Sequence, residues 1–142
     1  MKLYVKIALF AVLFIAFSGI LAALIMYNKK PTDTAKARPD FVVTATALQK
    51  EFEDNEAAAS ARYINKIIEV TGNIVSITQS DSTNTNISLK TGNDMSSVIC
   101  ASRSIADPSK FNAGEEITLR GECSGFLMDV LLKNCAVIVK RK

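Results

Sequence analysis

The first pattern along the chain is an apolar run from Ile7 to Tyr27, 21 residues without a charged side chain. A helix of this length rises about 1.5 Å per residue and spans roughly 31 Å, which matches the bilayer hydrocarbon core of about 30 Å. Lysines flank both ends of the run, and Tyr4 and Tyr27 lie where interfacial aromatic residues are common. The pattern predicts a transmembrane helix within an anchor segment that covers residues 1–30.

A cleaved signal peptide is the alternative, because Ala16-Phe17-Ser18 resembles a small-x-small cleavage site. The residues from Gly19 to Tyr27 stay apolar, however, and would make a poor mature N-terminus. We therefore favour an uncleaved anchor. The charges on the two flanks do not decide orientation, but a short charged start before an apolar run favours export of the domain after it. Gly19 and Ala23 form a small-xxx-small pair through which two anchors could pack, although one such pair is common by chance.

The pattern changes twice after the anchor. Residues 31–40 are polar, contain two prolines and predict a linker. Residues 41–63 are rich in helix formers, with apolar residues four apart on one face. Asp54-Asn55 interrupts this stretch and supplies a capping side chain. We predict a helical segment of two short helices.

From residue 64 onward apolar and polar positions alternate, which is typical of half-buried β-strands. The alternation predicts five strands, with a short helix that begins at Asp107-Pro108 between the third and the fourth. The parity of the apolar positions flips near Gly72–Val75 and again near Asn134, so the first and last strands should be bent by bulges. Gly125-Phe126 is expected in the turn of the last hairpin. This order predicts a mainly β chain with an OB-fold barrel over residues 64–142.

Charge and composition exclude several functions. Lys and Arg number 17 against 14 Asp and Glu, but Lys2, Lys6, Lys29 and Lys30 flank the anchor and leave 13 against 14 over residues 31–142. Nucleic-acid binding ordinarily needs a basic face, so this balance argues against it. The chain has no His, the commonest general base and metal ligand. We predict no catalytic residue, no metal site and no cofactor, and we do not expect an enzyme.

Three cysteines are the sharpest chemical feature: Cys100, Cys123 and Cys135. The third and fifth strands of an OB barrel are neighbours that end at the same side, so Cys100 and Cys135 should lie close together. A disulfide between them would close a loop of roughly 35 residues and stabilise the fold by about 3–4 kcal/mol. The alternative is that all three are small buried thiols. A zinc site is disfavoured because the cysteines lie on separate strands with no CxxC and no His.

Several stretches together resemble the tRNA_anti-like family of small bacterial OB-fold domains over about residues 45–139. They are Asn55-Glu56-x-x-Ala59-x-x-x-Tyr63, Ile68-x-Val70-Thr71-Gly72-x-Ile74, Val98-x-Cys100, Gly114-x-x-Ile117-Thr118-Leu119-Arg120-Gly121-x-Cys123-x-Gly125 and Asp129-Val130-x-Leu132-x-Asn134-Cys135. The resemblance implies the fold and an exported or lipid-anchored protein of unassigned function. It does not imply tRNA binding. The chain departs from lipoprotein members because no Cys near the anchor can be acylated.

OB domains usually bind ligands on the face of the second and third strands and in the loops 1–2 and 4–5. On this face we predict Arg120, Phe126 and Lys133 as ligand contacts. The predicted function is a membrane-anchored, non-enzymatic binding or accessory module in the cell envelope. It would sit in the inner membrane with a periplasmic domain and a protein, peptide or glycan partner. The alternative is a cytoplasmic-facing domain for single-stranded nucleic acid, which needs aromatic platforms between basic residues. After Tyr63 the only aromatic residues are Phe111 and Phe126.

Overall fold

The computed structural model describes residues 1–28, 33–105 and 107–141, with the side chains of the last segment described as far as residue 138. The chain divides into two compact units, Met1–Pro31 and Thr32–Lys142. The first contains one helix, α1 (Lys2–Tyr27), in which every residue is exposed. Its 26 residues are long and apolar enough to cross a membrane, a property that a signal sequence shares.

The second unit contains a barrel and its covering helices. In chain order its elements are β1 (Phe41–Thr44), α2 (Ala45–Asp54), α3 (Glu56–Tyr63), β2 (Ile67–Gln79), β3 (Thr85–Lys90), β4 (Ser97–Ser102), a 3-10 turn (Pro108–Lys110), β5 (Glu116–Leu127) and β6 (Asp129–Arg141). The strand order is β1-β2-β3-β4-β6-β5, and an additional β2–β5 pairing closes the barrel. The predicted OB-type barrel is confirmed, with β1 as an extra strand.

Closure depends on the bend in β2. Its first part, residues 67–73, pairs with β5, and its second part, residues 74–79, pairs with β3. The register shifts between Ile74 and Ser76, so one extra residue bends the strand at the predicted bulge. The bulge in β6 is also present. Asn134 has a φ of 53° and lies where the pairing with β5 loses register.

The predicted helical segment begins differently in the structure. Residues 41–44 form β1, which pairs in parallel with β2, and Val43 packs against the core. Tertiary pairing thus overrides the helical pattern at these four residues. The helices follow as predicted: the Thr44 side chain caps α2, and the Asn55 side chain accepts a hydrogen bond from Ala58 N at the start of α3.

The predicted linker also makes contacts that the sequence did not indicate. Thr34 is buried, and its hydroxyl donates a hydrogen bond to the Asn134 carbonyl in β6. Asp40 accepts a hydrogen bond from Ile67 N through its carboxylate. Residues 33–40 are therefore fixed along the barrel and are not a free tether.

The turn of the last hairpin was predicted at the wrong residues. Gly125 and Phe126 belong to β5, and Phe126 pairs with Val130. The chain reverses at Leu127–Asp129, where Met128 has a φ of 66°. Met128 adopts the left-handed backbone conformation that the tight turn requires, and the turn therefore forms without a glycine at this position.

Replacing Gly121 with alanine is expected to lower the free energy of unfolding by about 1–3 kcal/mol. A Cβ at this position would lie 2.5 Å from Cys135 Sγ and 3.1 Å from the Lys133 carbonyl oxygen. The measurement is the urea midpoint from pulse proteolysis of the full chain in detergent. Adding Cys135→Ala removes the nearest atom, so the cost of Gly121→Ala should shrink in that background. An unchanged cost would contradict the overpacking explanation.

Candidate functional site

The interior of the barrel is filled by its own side chains. Among the fully buried residues are Val98, Leu119 and Val130, and Cys100 belongs to the same core cluster. A ligand must therefore bind on the outside or at an end of the barrel. Two surface grooves meet there at the β3–β4 loop, residues 91–96.

The first groove is polar and has a volume of about 430 Å³. It lies on the face of β2, β3 and β4 and is lined by Val75, Ser76, Ser88, Lys90, Thr91, Asn93, Asp94, Met95, Ser96, Ser97 and Asp129. Among these lining residues the charges are one lysine and two aspartates, and no residue is aromatic. This composition offers hydrogen bonds but neither a base-stacking platform nor a net positive field.

The second groove is apolar and larger, about 710 Å³. It is lined by Glu53, Glu56, Asn93, Met95, Ser96, Phe126, Leu127 and Met128. We call it the apolar groove. Three of its side chains are large and strongly exposed: Met95 at 81%, Leu127 at 78% and Met128 at 67%. Clustered exposed apolar side chains are typical of interaction sites.

The base of the apolar groove is an aromatic stack. Phe126 stacks on Phe52 with ring centroids 5.2 Å apart, and Phe52 in turn lies 6.0 Å from the Tyr63 ring. Phe52 and Tyr63 are fully buried core residues, so the half-buried Phe126 is held from beneath. The stack connects the helices to the last hairpin and fixes the groove floor.

Hydrogen bonds hold the groove walls together. Gln49 Nε2 donates to the Met128 carbonyl oxygen at 2.8 Å and to Glu53 Oε1 at 3.0 Å. Ser96 Oγ donates to the same Glu53 oxygen at 3.2 Å. Helix α2, the 91–96 loop and the hairpin turn are thereby tied to one another, and the groove exists before any ligand arrives.

The carboxylate of Glu53 is stabilised in its charged form. The hydrogen bond from Gln49 and, to a smaller extent, that from Ser96 lower the pKa of Glu53 below its ordinary value. The apolar groove therefore carries a negative charge at neutral pH.

The structure separates the three predicted ligand residues. Arg120 donates to Glu69 Oε2 at 2.6 Å and to the carbonyl oxygens of Ala35 and Ala37 at 3.2 and 2.8 Å. Lys133 forms an ion pair with Glu122 at 3.1 Å. Phe126 lies six residues beyond Arg120 along β5, about 20 Å at the rise of a strand. Of the three, Phe126 alone lines the apolar groove.

The cysteines lie where the topology predicts. Cys100 on β4 and Cys135 on β6 are buried free thiols that form a hydrogen-bonded pair, and this bond together with burial raises the pKa of Cys100. Cys123 is buried on β5, and burial raises the pKa of its thiol as well. Cys100 and Cys135 are neighbours, as the strand order predicts, and a disulfide between them stays a prediction.

The predicted packing pair of the anchor, Gly19 and Ala23, lies on the exposed surface of α1. Nothing lies within 4 Å of a Cβ placed at Gly19.

Metal binding is a separate question. Within residues 1–28, 33–105 and 107–141, no group of three Cys, Asp or Glu side chains could hold a metal ion.

Apart from Phe126, the residues of the apolar groove were not predicted from the sequence. A signal was present: Phe126, Leu127 and Met128 are three consecutive apolar residues at a predicted chain reversal, where polar residues are usual. Met95 and Glu53 gave no comparable signal, because their proximity to the hairpin depends on the tertiary structure.

The β2–β3 loop permits a prediction of pH dependence. The Asp81 carboxylate accepts hydrogen bonds from Thr83 and Asn84, led by the Thr83 backbone, and these lower its pKa from 3.8 to about 2. Because the folded-state pKa is depressed, the carboxylate stabilises the loop above the unfolded pKa and loses this effect as pH falls through about 2. A ¹³C NMR titration of the Asp81 carboxyl carbon should show this midpoint. Asn84→Ala should raise it, and a midpoint near 4 in the parent chain would refute the assignment.

The geometry defines a closed OB-type barrel with an extra strand, preceded by an apolar helix. The chain belongs to the tRNA_anti-like family, whose profile matches residues 1–137. The family resemblance expected from the motifs is thereby confirmed. No curated protein matches the chain.

The solved structures similar to this chain include the following three. A Klebsiella pneumoniae lipoprotein, described provisionally as nucleic acid-binding, is 20% identical with a TM-score of 0.56, over 68% of this chain and 91% of that one. The S. pombe Stn1–Ten1 complex is 15% identical, over 51% and 57% of the two chains, with a TM-score of 0.38. An Entamoeba histolytica asparaginyl-tRNA synthetase is 11% identical, over 55% and 22%, with a TM-score of 0.40. The lipoprotein supports the fold alone, and the other two are too distant to bear on function.

Proposed function

We propose that this chain is a membrane-anchored, non-enzymatic binding module of the cell envelope that recognises its ligand at the apolar groove. The observation that carries the proposal is the cluster of Met95, Leu127 and Met128, all strongly exposed beside a groove that polar contacts hold in place. Their exposure is unfavourable for an isolated soluble domain and is explained by a partner that covers them. The OB fold supports binding as the general activity, because OB barrels bind ligands on their surface.

The proposed location is the inner membrane, with α1 as a single-pass anchor and the barrel on the periplasmic side. The length and composition of α1 support anchoring. The disulfide predicted between the neighbouring Cys100 and Cys135 agrees with this location, because disulfides form and persist in oxidising compartments. In this arrangement the anchor leaves the barrel tethered beside envelope proteins.

Labelling from one side of the membrane tests the location. Ser82→Cys places an exposed thiol in the β2–β3 loop, and Lys2→Cys places one before the anchor. A membrane-impermeant maleimide added to intact spheroplasts should label Ser82→Cys and spare Lys2→Cys until the cells are lysed. Labelling of Lys2→Cys alone would put the barrel in the cytoplasm and overturn the proposal.

The disulfide gives a separate prediction. When spheroplasts are quenched in acid and alkylated in denaturant, Cys123 should be modified at once, and Cys100 and Cys135 only after reduction. Mass mapping of the three peptides measures this result. The pair closes a long loop, so oxidation should also stabilise the barrel by about 3–4 kcal/mol. Full alkylation of all three cysteines without reductant would show that they are buried thiols.

Binding of single-stranded nucleic acid is the second candidate, raised by a Klebsiella pneumoniae lipoprotein of the same fold that is described provisionally as nucleic acid-binding. The composition of the polar groove opposes it, since Asp94 and Asp129 outnumber Lys90 and its described lining includes no aromatic side chain. A fluorescent dT oligonucleotide, titrated at low salt into the full chain in zwitterionic nanodiscs, tests the candidate. Binding that weakens steeply with salt would support it, and absence of binding would remove it.

A further inference from the structure

We infer that the apolar groove binds a protein segment that combines apolar side chains with lysine or arginine. The inference rests on the proposed binding function and adds the chemical class of the partner. It requires three properties of the groove: an adaptable apolar surface, a fixed framework and a charge of one sign.

The apolar surface consists of side chains from two separate segments. Met95 comes from the β3–β4 loop, and Leu127 and Met128 come from the β5–β6 turn. They lie above the Phe52–Phe126 stack, which provides a flat aromatic floor. Unbranched methionine side chains adapt to differently shaped apolar partners, as is typical of surfaces that bind peptides. This surface suits apolar side chains and offers little to a glycan hydroxyl.

The framework behind these side chains is rigid. Gln49 is buried at 2% exposure and donates to the backbone carbonyl of Met128 at 2.8 Å, so the hairpin turn is held against α2. Asp129 accepts hydrogen bonds from Ser97 N at 2.6 Å and Ser97 Oγ at 3.0 Å and fixes the same turn against β4. A pre-organised surface loses less conformational entropy when a partner binds.

The charge at the groove has one sign. Glu53 and Glu56 are the charged residues of its described lining, and neither forms an ion pair within the described part of the chain. Other acidic side chains nearby are paired: Asp54 with Lys50, and Glu51 with Arg62. Glu53 attracts Lys50 at longer range but forms no ion pair with it. Two carboxylates outside any ion pair in the described part of the chain, beside an apolar surface, repel phosphates and attract lysine or arginine. The charge therefore favours a basic, apolar protein segment over nucleic acid or an anionic membrane surface.

The four methionines provide a built-in assay. In the full chain in zwitterionic nanodiscs, Met95 and Met128 report on the groove, whereas Met1 and Met26 report on the anchor. The probe is a 16-residue peptide of leucine and lysine, compared with the same peptide carrying glutamate in place of lysine. In ¹³C-methyl NMR the lysine peptide should shift the Met95 and Met128 signals and leave Met26 unchanged. The glutamate peptide should bind at least tenfold more weakly.

Variants separate the two components of recognition. Leu127→Ser with Met128→Ser should weaken the lysine peptide at least tenfold, as loss of central apolar contacts does. Glu53→Gln with Glu56→Gln should weaken it three- to tenfold and flatten its salt dependence, while glutamine at 53 still accepts the bond from Gln49. Val42→Ser, on an exposed residue of β1, and Asp33→Asn, on an exposed acidic residue outside the groove lining, are matched controls that should change affinity less than twofold.

Other outcomes would overturn the inference in distinguishable ways. Equal binding of the two peptides would remove the charge component. Shifts of Met26 with no effect of the groove variants would assign the binding to lipid, and shifts of Met95 caused by dT oligonucleotide would assign the groove to nucleic acid. If no peptide shifts Met95 or Met128 while the spheroplast labelling succeeds, the partner class is wrong and the proposed envelope location survives.

Discussion

Replacing Phe52 with alanine is expected to lower the free energy of unfolding by about 3–5 kcal/mol, the usual cost of deleting a buried aromatic ring. Phe52 is 1% exposed and lies between two other rings. Its ring centroid is 6.0 Å from that of Tyr63 and 5.2 Å from that of Phe126. Loss of the Phe52 ring removes the aromatic contact between α2 and the last hairpin, leaves the Gln49–Met128 hydrogen bond as the remaining tie, and opens a cavity beneath the groove. The urea midpoint of the full chain in detergent, measured by pulse proteolysis, gives the change.

Two variants test whether the effect comes from this stack. Phe52→Leu keeps most of the apolar volume and should cost less than half as much. Phe126→Leu removes the upper ring from a half-buried position and should cost less than Phe52→Ala. Because the two rings are in contact, the double variant Phe52→Ala with Phe126→Leu should cost less than the sum of these two single changes. A loss below about 1 kcal/mol for Phe52→Ala would show that the stack is not a structural element.

Replacing Arg120 with alanine is expected to cost about 2–4 kcal/mol. Breaking a buried ion pair by removing one partner costs about 3–5 kcal/mol, and this pair keeps some exposure, 15% for Arg120 and 20% for Glu69. The same change removes both hydrogen bonds to the carbonyls of Ala35 and Ala37. Residues 33–40 should detach, so trypsin should cleave after Lys36 faster than in the parent chain.

Matched changes separate the ion pair from the docked segment. Lys133→Met breaks the more exposed Lys133–Glu122 pair and should cost less than about 1 kcal/mol. Thr34→Val removes the hydrogen bond to Asn134, so it should speed cleavage after Lys36 with a smaller loss of stability. If Arg120→Ala changed neither the urea midpoint nor the cleavage rate, the contacts of Arg120 would not contribute to the stability of the domain or to the docking of residues 33–40.

Both predictions involve residues whose importance depends on distant partners. Leu48 and Phe52 lie four apart and share the buried face of α2, as their spacing predicts. Arg120, in contrast, alternates with apolar neighbours on β5, which indicates only a side chain on the outer face. Its contacts with Glu69 and Ala37 join residues 51 and 83 positions apart. Local periodicity reports which face is buried and contains no information about these partners.

The sequence by itself determined the elements whose cause is local. The apolar run of α1, the alternation of the five barrel strands and the parity flips at both bulges follow from which neighbouring side chains avoid water. The Asp107-Pro108 pair likewise marked a helical turn, which forms as a short 3-10 turn with Asp107 as its cap. Each of these features depends on positions a few residues apart.

Only the tertiary structure decided the rest. Residues 41–44 form a strand because β2 offers an edge in parallel register, and residues 33–40 dock because Arg120 and Asn134 offer partners. The apolar groove arises where α2, the 91–96 loop and the last hairpin meet, and closure of the barrel brings these segments together. Contacts between segments tens of residues apart are set by the path of the folded chain, so no local pattern encodes them.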